Sequence, residues 1–186
     1  MSVVEQSTQE FAPAGSWSAD PVHSSVAFEV TYAGVNTFRG GFNDFSASLT
    51  GGEEPTLDGS AKVAGVDVKD VNLNLHLQAP DFFDAERYPE IAFHATELHR
   101  LDDNRVEGSG ELTIKGVTQP VTLTGTISAA PVTDPMGRER LGLRLETAVD
   151  RTEYGVSWNA PNQSGGDYLA NNVKLIAELA LVRQDV

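Results

Sequence analysis

The stretch GELTIKGVTQPVTL, residues 110–123, decides the fold class. In it, Leu112 and Ile114 alternate with polar residues and lead into a turn at residues 115–119, after which the alternation resumes at Val121. Apolar residues at every second position are typical of a strand with one buried face. Two such runs joined by a short turn that contains glycine predict an antiparallel hairpin.

The same alternation recurs on both sides of this hairpin. Further runs of this kind lie at residues 26–32, 45–49, 91–95, 141–149 and 173–181, and residues 61–68 and 72–77 also read as strands. Turn-forming residues separate the runs. Many short strands with hairpin-like connections predict an all-β protein, either an antiparallel sandwich or a barrel. A barrel is favoured because closure removes the exposed edges of a long meander.

One stretch breaks the pattern. The segment APDFFDAERYPEIAF, residues 79–93, places two adjacent phenylalanines among acidic residues. Asp81 can cap a helix N-terminus and Pro89 prevents its continuation, so the sequence predicts a short helix over residues 81–88. At least one of the two phenylalanines then turns inward, as an apolar plug at one end of the barrel.

Composition excludes several classes of function. The 186 residues include 27 acidic and 13 basic side chains, which gives a formal net charge of −14. This charge disfavours nucleic acid as a partner and disfavours charge-driven binding to anionic lipid. The chain has no cysteine, so disulfides, thiolate catalysis and Cys-ligated zinc are excluded.

The first residues read as a tail. Residues 1–16 are polar and lack a clear period, so we predict a flexible N-terminal tail followed by one folded domain over residues 17–186. No stretch approaches about 18 apolar residues, and no integral membrane segment is predicted. The N-terminus lacks the basic residues and apolar run of a secretory signal, which predicts a cytoplasmic protein.

Histidines and serines give no catalytic or metal pattern. His23, His76, His94 and His99 do not have a known metal-ligand spacing, so no metal is predicted. His23 follows Asp-Pro-Val and precedes two serines, which favours a role in fixing a turn over contact with a ligand head group. The chain has no Gly-x-Ser-x-Gly motif, and no catalytic residue is predicted.

Four segments together resemble the YceI-like family, the polyisoprenoid-binding proteins of bacteria. Residues 17–49 contain an Asp-Pro-x-His-Ser turn and an Arg-Gly-Gly-Phe bend, and residues 81–93 carry the Phe-Phe pair, Tyr-Pro and Ile-Ala-Phe. The opening hairpin is the third segment. The fourth, RTEYGVSW at residues 151–158, resembles the family's Arg-x-x-aromatic-Gly-x-x-Trp segment. The chain departs from many members at residues 72–78, where they carry basic residues, and in having no export signal.

The resemblance implies a lipocalin-like, eight-stranded antiparallel β-barrel with one or two short helices. It also implies an elongated apolar pocket for an isoprenoid lipid, such as a quinone tail or a polyprenyl chain, with no other cofactor, and it implies a homodimer. An Arg151 shared with the family motif is expected to pair with a carboxylate across the barrel rim. The candidate pocket wall is Val26, Phe28, Val30, Phe38, Phe42, Phe45, Leu49, Val66, Val68, Phe82, Phe83, Phe93, Ile114, Leu123, Leu143, Leu145 and Trp158.

These expectations combine into one functional prediction, the non-enzymatic binding, transport or storage of an isoprenoid lipid. Two alternatives stay open. One is an enzyme that acts on a lipid or small apolar substrate. The other is a structural or interaction module whose barrel is filled by side chains, because periodicity alone does not distinguish a hollow barrel from a packed one.

Overall fold

The structure is a computed structural model that describes residues 9–184. It consists almost entirely of antiparallel strands, with one α-helix and two 3₁₀ turns. The strands are β1 Gly15–Ala19, β2 Ser25–Tyr32, β3 Asn36–Phe42, β4 Phe45–Gly51, β5 Thr56–Lys62, β6 Val66–Asp67, β7 Glu90–Arg100, β8 Arg105–Ile114, β9 Val117–Ile127, β10 Val132–Thr133, β11 Glu139–Asp150 and β12 Leu169–Arg183. The helix α1 is Val71–Gln78, and the 3₁₀ turns are Val63–Gly65 and Arg151–Tyr154.

The strands form a closed eight-stranded barrel, as predicted. β1 and β2 both pair with β12 and so continue one another past a kink at residues 20–24. Three further pairs of short strands occupy one barrel position each, because the two members of a pair hydrogen-bond to the same neighbouring positions. These pairs are β3 with β4, β5 with β6, and β9 with β10. The pairing of β11 with β12 over residues 140–150 closes the ring. Within the described residues, closure leaves no long sheet edge exposed.

The hairpin that decided the fold class forms with a tighter turn than predicted. Ile114 pairs directly with Val117, so β8 and β9 are joined by Lys115 and Gly116 alone. Both turn residues have positive φ, 50° and 75°. This is the two-residue geometry that matches the twist of antiparallel strands, and glycine adopts it without strain.

Two local predictions were wrong, and a third was right only in part. Residues 72–77 are not a strand but part of α1, whose N-terminus is capped by Asp70 Oδ1 accepting from the Leu73 amide at 2.8 Å. Residues 81–88 are a series of turns and not a helix, because Asp84 lies in the left-handed region with φ 54°. Their amides instead satisfy carbonyls at the end of α1, as in the 3.0 Å bond from the Phe83 amide to the Leu77 carbonyl. The strand predicted at residues 61–68 is interrupted by the first 3₁₀ turn.

The antiparallel order gives the barrel two different ends. The closed end carries the turns at residues 51–55 and 101–104 and is packed with side chains, and the open end carries the turn at residues 33–35 and the segments 63–89 and 151–168. The buried side chains at the closed end include Phe11, Trp17, Leu49, Leu141 and Leu181.

The segment before β1 contributes to the closed end. Residues 1–8 of the predicted tail lie outside the described part of the chain, whereas Phe11 and Ala12 are buried. Trp17 Nε1 donates to the Pro13 carbonyl at 3.1 Å, and the Arg183 guanidinium lies 4.5 Å from the centre of the Trp17 ring. Packing and a cation–π contact therefore seal this end. Within residues 9–184, the single α-helix is too short and too polar to cross a bilayer.

Candidate functional site

The open half of the barrel encloses a cavity of about 700 Å³ with an almost wholly apolar lining. Along β12, the inward-facing residues Val173, Leu175 and Ala177 are only half-buried, whereas Leu179 and Leu181 are buried. Inward-facing side chains that remain partly accessible show that the barrel is hollow there and packed further along. The volume lies within the range of about 300–1,000 Å³ typical of small-molecule sites.

Twelve of the seventeen predicted pocket residues line this cavity. They come from several strands, from the turns after α1 and from the segment after the second 3₁₀ turn, and they are Val26, Phe28, Val30, Phe38, Phe42, Phe82, Phe83, Phe93, Ile114, Leu123, Leu145 and Trp158. Their shared position follows from strand alternation, which turns every second side chain of each strand to the barrel interior. Whether they bind a ligand stays a prediction.

The other five predicted residues do not line the cavity. Leu49 and Leu143 are buried in the packed part of the barrel nearer the closed end. Val66 is buried on β6, and Val68 follows β6 and packs against the core. Phe45, at the start of β4, packs against the core without reaching the cavity. Period-two alternation identifies an inward face but not the depth of a residue along the barrel axis.

Sequence reasoning missed a second group of lining residues. Leu73, His76 and Leu77 of α1 line the cavity, as do Leu169 and the inward-facing half of β12. The alternation in β12 was visible in the sequence, but nothing there distinguishes its hollow half from its packed half. The α1 residues were hidden because their pattern reads as a strand.

An aromatic cluster lies where α1 and the following turns meet the cavity. The ring of His76 is edge-on to Phe82 and to Trp158, with centroid distances of 4.9 Å and 5.1 Å. Phe82 and Trp158 are 5.4 Å apart, and Phe83 meets Phe42 edge-on at 5.9 Å. Such tilted and edge-on pairs are favourable beyond the area they bury. The cluster fixes the two phenylalanines against the barrel and the cavity at this end.

Lys115 connects two segments of the open end. Its Nζ donates to the carbonyl of Pro80 at 2.7 Å and to the carbonyl of Gly155 at 3.2 Å. Gly116 packs closely against the same segment, because a Cβ at this position would lie 2.6 Å from the Tyr88 ring. The Lys-Gly turn therefore holds the segment after α1 and the segment after the second 3₁₀ turn against the same hairpin.

Arg151 is buried at the cavity wall, and the prediction that it pairs with a carboxylate was wrong. Its Nη1 donates to the carbonyls of Val156 and Trp158 at 2.7 Å and 2.9 Å, and its Nε donates to Ala170 at 2.9 Å. Burial lowers the pKa of the guanidinium, and the nearby Asp150 carboxylate acts in the opposite direction. Arg151 thus satisfies backbone carbonyls of the irregular segment before β12 and holds that segment in place.

Tyr154, three residues later, is buried with its hydroxyl unpaired. Burial raises the pKa of this hydroxyl, so it is uncharged at neutral pH. The cavity wall beside Tyr154 therefore adds no negative charge to the apolar interior.

His23 lies at the kink between β1 and β2 and does not line the cavity. Its Nδ1 is 2.7 Å from Asp20 Oδ2, which also accepts from Arg140 Nη1 at 2.9 Å. Arg140 Nε in turn donates to Asp134 at 2.8 Å. These contacts favour the turn role of His23. Within residues 9–184, no three His, Asp or Glu side chains are placed to hold a metal ion.

Comparison with known proteins gives a consistent result. Residues 17–181 match the family model of the YceI-like domain. A UPF0312 protein of Vibrio parahaemolyticus is 29% identical over 154 residues, which cover 77% of this chain and 81% of that protein. A UPF0312 protein of Photorhabdus laumondii is 32% identical over 136 residues, which cover 71% of this chain and 70% of that protein.

Solved structures share the fold at low sequence identity. BcnA of Burkholderia cenocepacia superposes with a TM-score of 0.71 at 20% identity, covering 89% of this chain and 99% of BcnA. A polyisoprenoid binding domain from Saccharophagus degradans superposes with a TM-score of 0.69 at 12% identity, covering 90% of this chain and 98% of that domain. At these identities the similarity establishes the barrel fold alone.

Proposed function

Because the chain belongs to the YceI-like family, we propose that it binds the isoprenoid chain of a lipid or quinone in the barrel cavity, as a carrier or store. The observation that carries this proposal is the apolar cavity of about 700 Å³ in the open half of the barrel. A barrel filled by its own side chains, the second alternative, would not leave such a volume. The name of the Saccharophagus degradans neighbour, a polyisoprenoid binding domain, supports the same ligand class.

Apolar burial supplies enough free energy for this binding. Each buried CH₂ group contributes roughly 0.8 kcal/mol, so a tail of about twenty carbons gives a gross term on the order of 15 kcal/mol. The loss of ligand motion on association and the ordering of the chain reduce this term by several kcal/mol or more. An acidic protein can therefore bind a lipid tail without charged anchors, and the mechanism is the transfer of the tail from a membrane or from water into the cavity.

We propose that this function is non-enzymatic. Two of the polar side chains that line the cavity are not arranged beside a nucleophile or base, because Arg151 is engaged by backbone carbonyls and the Tyr154 hydroxyl is buried in the wall. A cytoplasmic location, expected from the N-terminal sequence, and a homodimer, implied by the family resemblance, stay predictions.

Mass spectrometry tests the proposal directly. The protein is purified without detergent and its mass is measured under native conditions, and an organic extract of the same sample is analysed for lipids. We expect one isoprenoid lipid per cavity. A protein that is purified without a ligand is then titrated with isoprenoid quinones and prenols of increasing chain length.

Two variants make the result specific to the cavity. Phe93→Asp places a charge in the wall and should abolish lipid retention, whereas His94→Asp places the same charge on the outward face of the same strand and should not. Both variants are checked for cooperative unfolding. A fatty acid in place of the isoprenoid would keep the cavity and reject the ligand class, and a folded Phe93→Asp protein that retains its lipid would reject the site.

A further inference from the structure

The helix α1 is apolar on two opposite sides. Its sequence, VNLNLHLQ, alternates with period two, but a helix turns by about 100° per residue, so Val71 and Leu75 share one side while Leu73 and Leu77 share the other. Leu73 and Leu77 line the cavity. Val71 and Leu75 are 74% and 63% exposed, and no part of the described chain covers them.

The hairpin between β2 and β3 adds a second exposed apolar group at the open end. Ala33, Gly34 and Val35 form its three-residue turn, in which Ala33 and Gly34 have positive φ, 53° and 68°, and Val35 is 79% exposed. On the strand before the turn, Tyr32 lines the cavity and stacks on Tyr168 with a centroid distance of 5.9 Å. We call Val35, Val71, Leu75 and the two tyrosines the apolar rim.

Each part of the apolar rim adjoins residues of the cavity wall. Tyr32 and Tyr168 belong to the wall themselves, and Leu73 alternates with the exposed residues of α1. The two tyrosines thus extend the cavity surface outward, whereas Val71 and Leu75 lie at the same open end on the side of α1 that faces away from the cavity. Aromatic residues with a polar hydroxyl are enriched at the boundary between a bilayer and water, and isolated aliphatic side chains beside them can enter the headgroup region.

We propose that the apolar rim docks on a zwitterionic lipid bilayer, from which the cavity takes up its ligand. This inference rests on the proposed function, since an isoprenoid chain dissolves in bilayers and is costly to expose to water. The charges beside α1 select the kind of bilayer. The open-end segment 63–89, which carries α1, has five acidic residues and two basic ones, so anionic headgroups would repel this end of the protein.

Vesicle binding tests the docking surface. The protein is mixed with phosphatidylcholine vesicles and the bound fraction is measured by flotation. The variant Val35→Ser, Val71→Ser, Leu75→Ser should bind at least tenfold more weakly. The matched control is Val22→Ser, Met136→Ser, which removes two side chains that are 82% and 78% exposed away from the open end, and its binding should stay within twofold of the original. Replacing about a third of the phosphatidylcholine by phosphatidylglycerol should weaken binding of the unaltered protein.

Transfer kinetics connect docking to ligand uptake. Vesicles carrying an isoprenoid quinone donate ligand to the protein, and we expect the triple variant to load at least tenfold more slowly than the control, with the same final occupancy because its cavity is unchanged. Equal vesicle binding by the triple variant and the control would overturn the proposal. Stronger binding to anionic vesicles would also overturn it, as would self-association of the protein through these residues without vesicle binding.

The two proposals fail in different ways. A protein that extracts an isoprenoid from detergent solution but ignores vesicles retains the proposed function and loses the docking surface. A protein that binds vesicles through the apolar rim but never acquires an isoprenoid retains the docking surface and loses the proposed ligand.

Discussion

Filling the cavity with a larger side chain should cost the protein its ligand but not its stability. Ala177 lies on β12, faces the cavity and is only half-buried. In the variant Ala177→Phe, the added ring enters empty space. Full burial of a phenylalanine side chain contributes about 1.5–3 kcal/mol, and the loss of side-chain freedom offsets roughly 0.5–1 kcal/mol of this. We therefore expect the free energy of unfolding to rise by about 1 kcal/mol, and the bound lipid to fall well below one per protein.

The same substitution in the packed half gives the matched control. Ala95 on β7 is 1% exposed and does not line the cavity. Overpacking a filled core costs typically 1–3 kcal/mol, so Ala95→Phe should unfold at a lower denaturant concentration. The two variants should differ by about 2–4 kcal/mol in urea titrations of ligand-free protein. Equal destabilisation of both variants, or an Ala177→Phe protein that still carries a stoichiometric lipid, would refute the hollow barrel.

Three further results are expected. Arg151→Met should lower the free energy of unfolding by about 3 kcal/mol in urea titrations, because several buried carbonyls lose their donor, and Arg151→Lys should restore only part of the loss since one ammonium group cannot reach all of them. Lys115→Met should speed amide exchange at residues 81–88 with little change in global stability, because it releases the Pro80 carbonyl; unchanged exchange would contradict the tether. Asp20→Asn should reduce the stability lost on acidification. Contacts with His23 and Arg140 hold the pKa of Asp20 well below its usual range, so its stabilisation is present above about pH 4, its approximate unfolded-state pKa, and is lost as the pH falls towards the folded-state pKa; an unchanged pH profile would argue against this.

The barrel was predictable because its strands are long and face the core on one side only. The runs that became β2, β8, β9, β11 and β12 each carry several apolar residues at strict period two, and the register of a half-buried strand fixes which face turns inward. The short turn at Lys115 and Gly116 adds its own local signal. The family resemblance supplied the strand number, which periodicity alone left open.

The helix α1 was mispredicted for a definite physical reason. Period-two alternation normally reports a strand, but in α1 it arises because the helix presents apolar residues to the cavity on one side and to the solvent on the other. The signal that could have identified the helix is Asp70, which caps its N-terminus, followed by Pro80 just after its end. The acidic start at Asp81 gave a competing cap that the structure does not use.

The position of the cavity could not be predicted from the sequence, for a different reason. Leu143 and Leu145 are neighbours in one alternating run on β11, yet only Leu145 lines the cavity. The difference depends on what lies across the barrel, which is set by the tilt of the strands and by side chains far away in the chain. Phe11 and Trp17 fill the closed end, and no local sequence pattern predicts this.

The seal formed by Phe11 and Trp17 also determines how the cavity exchanges its contents. A barrel open at both ends could pass a chain from one compartment to another, whereas a barrel that is packed at one end admits and releases its ligand through the same opening. If the protein carries a lipid as proposed above, the loaded protein must therefore leave its source before it can deliver. Delivery is a separate encounter, and its direction is set only by which surface holds the lower free concentration of the ligand.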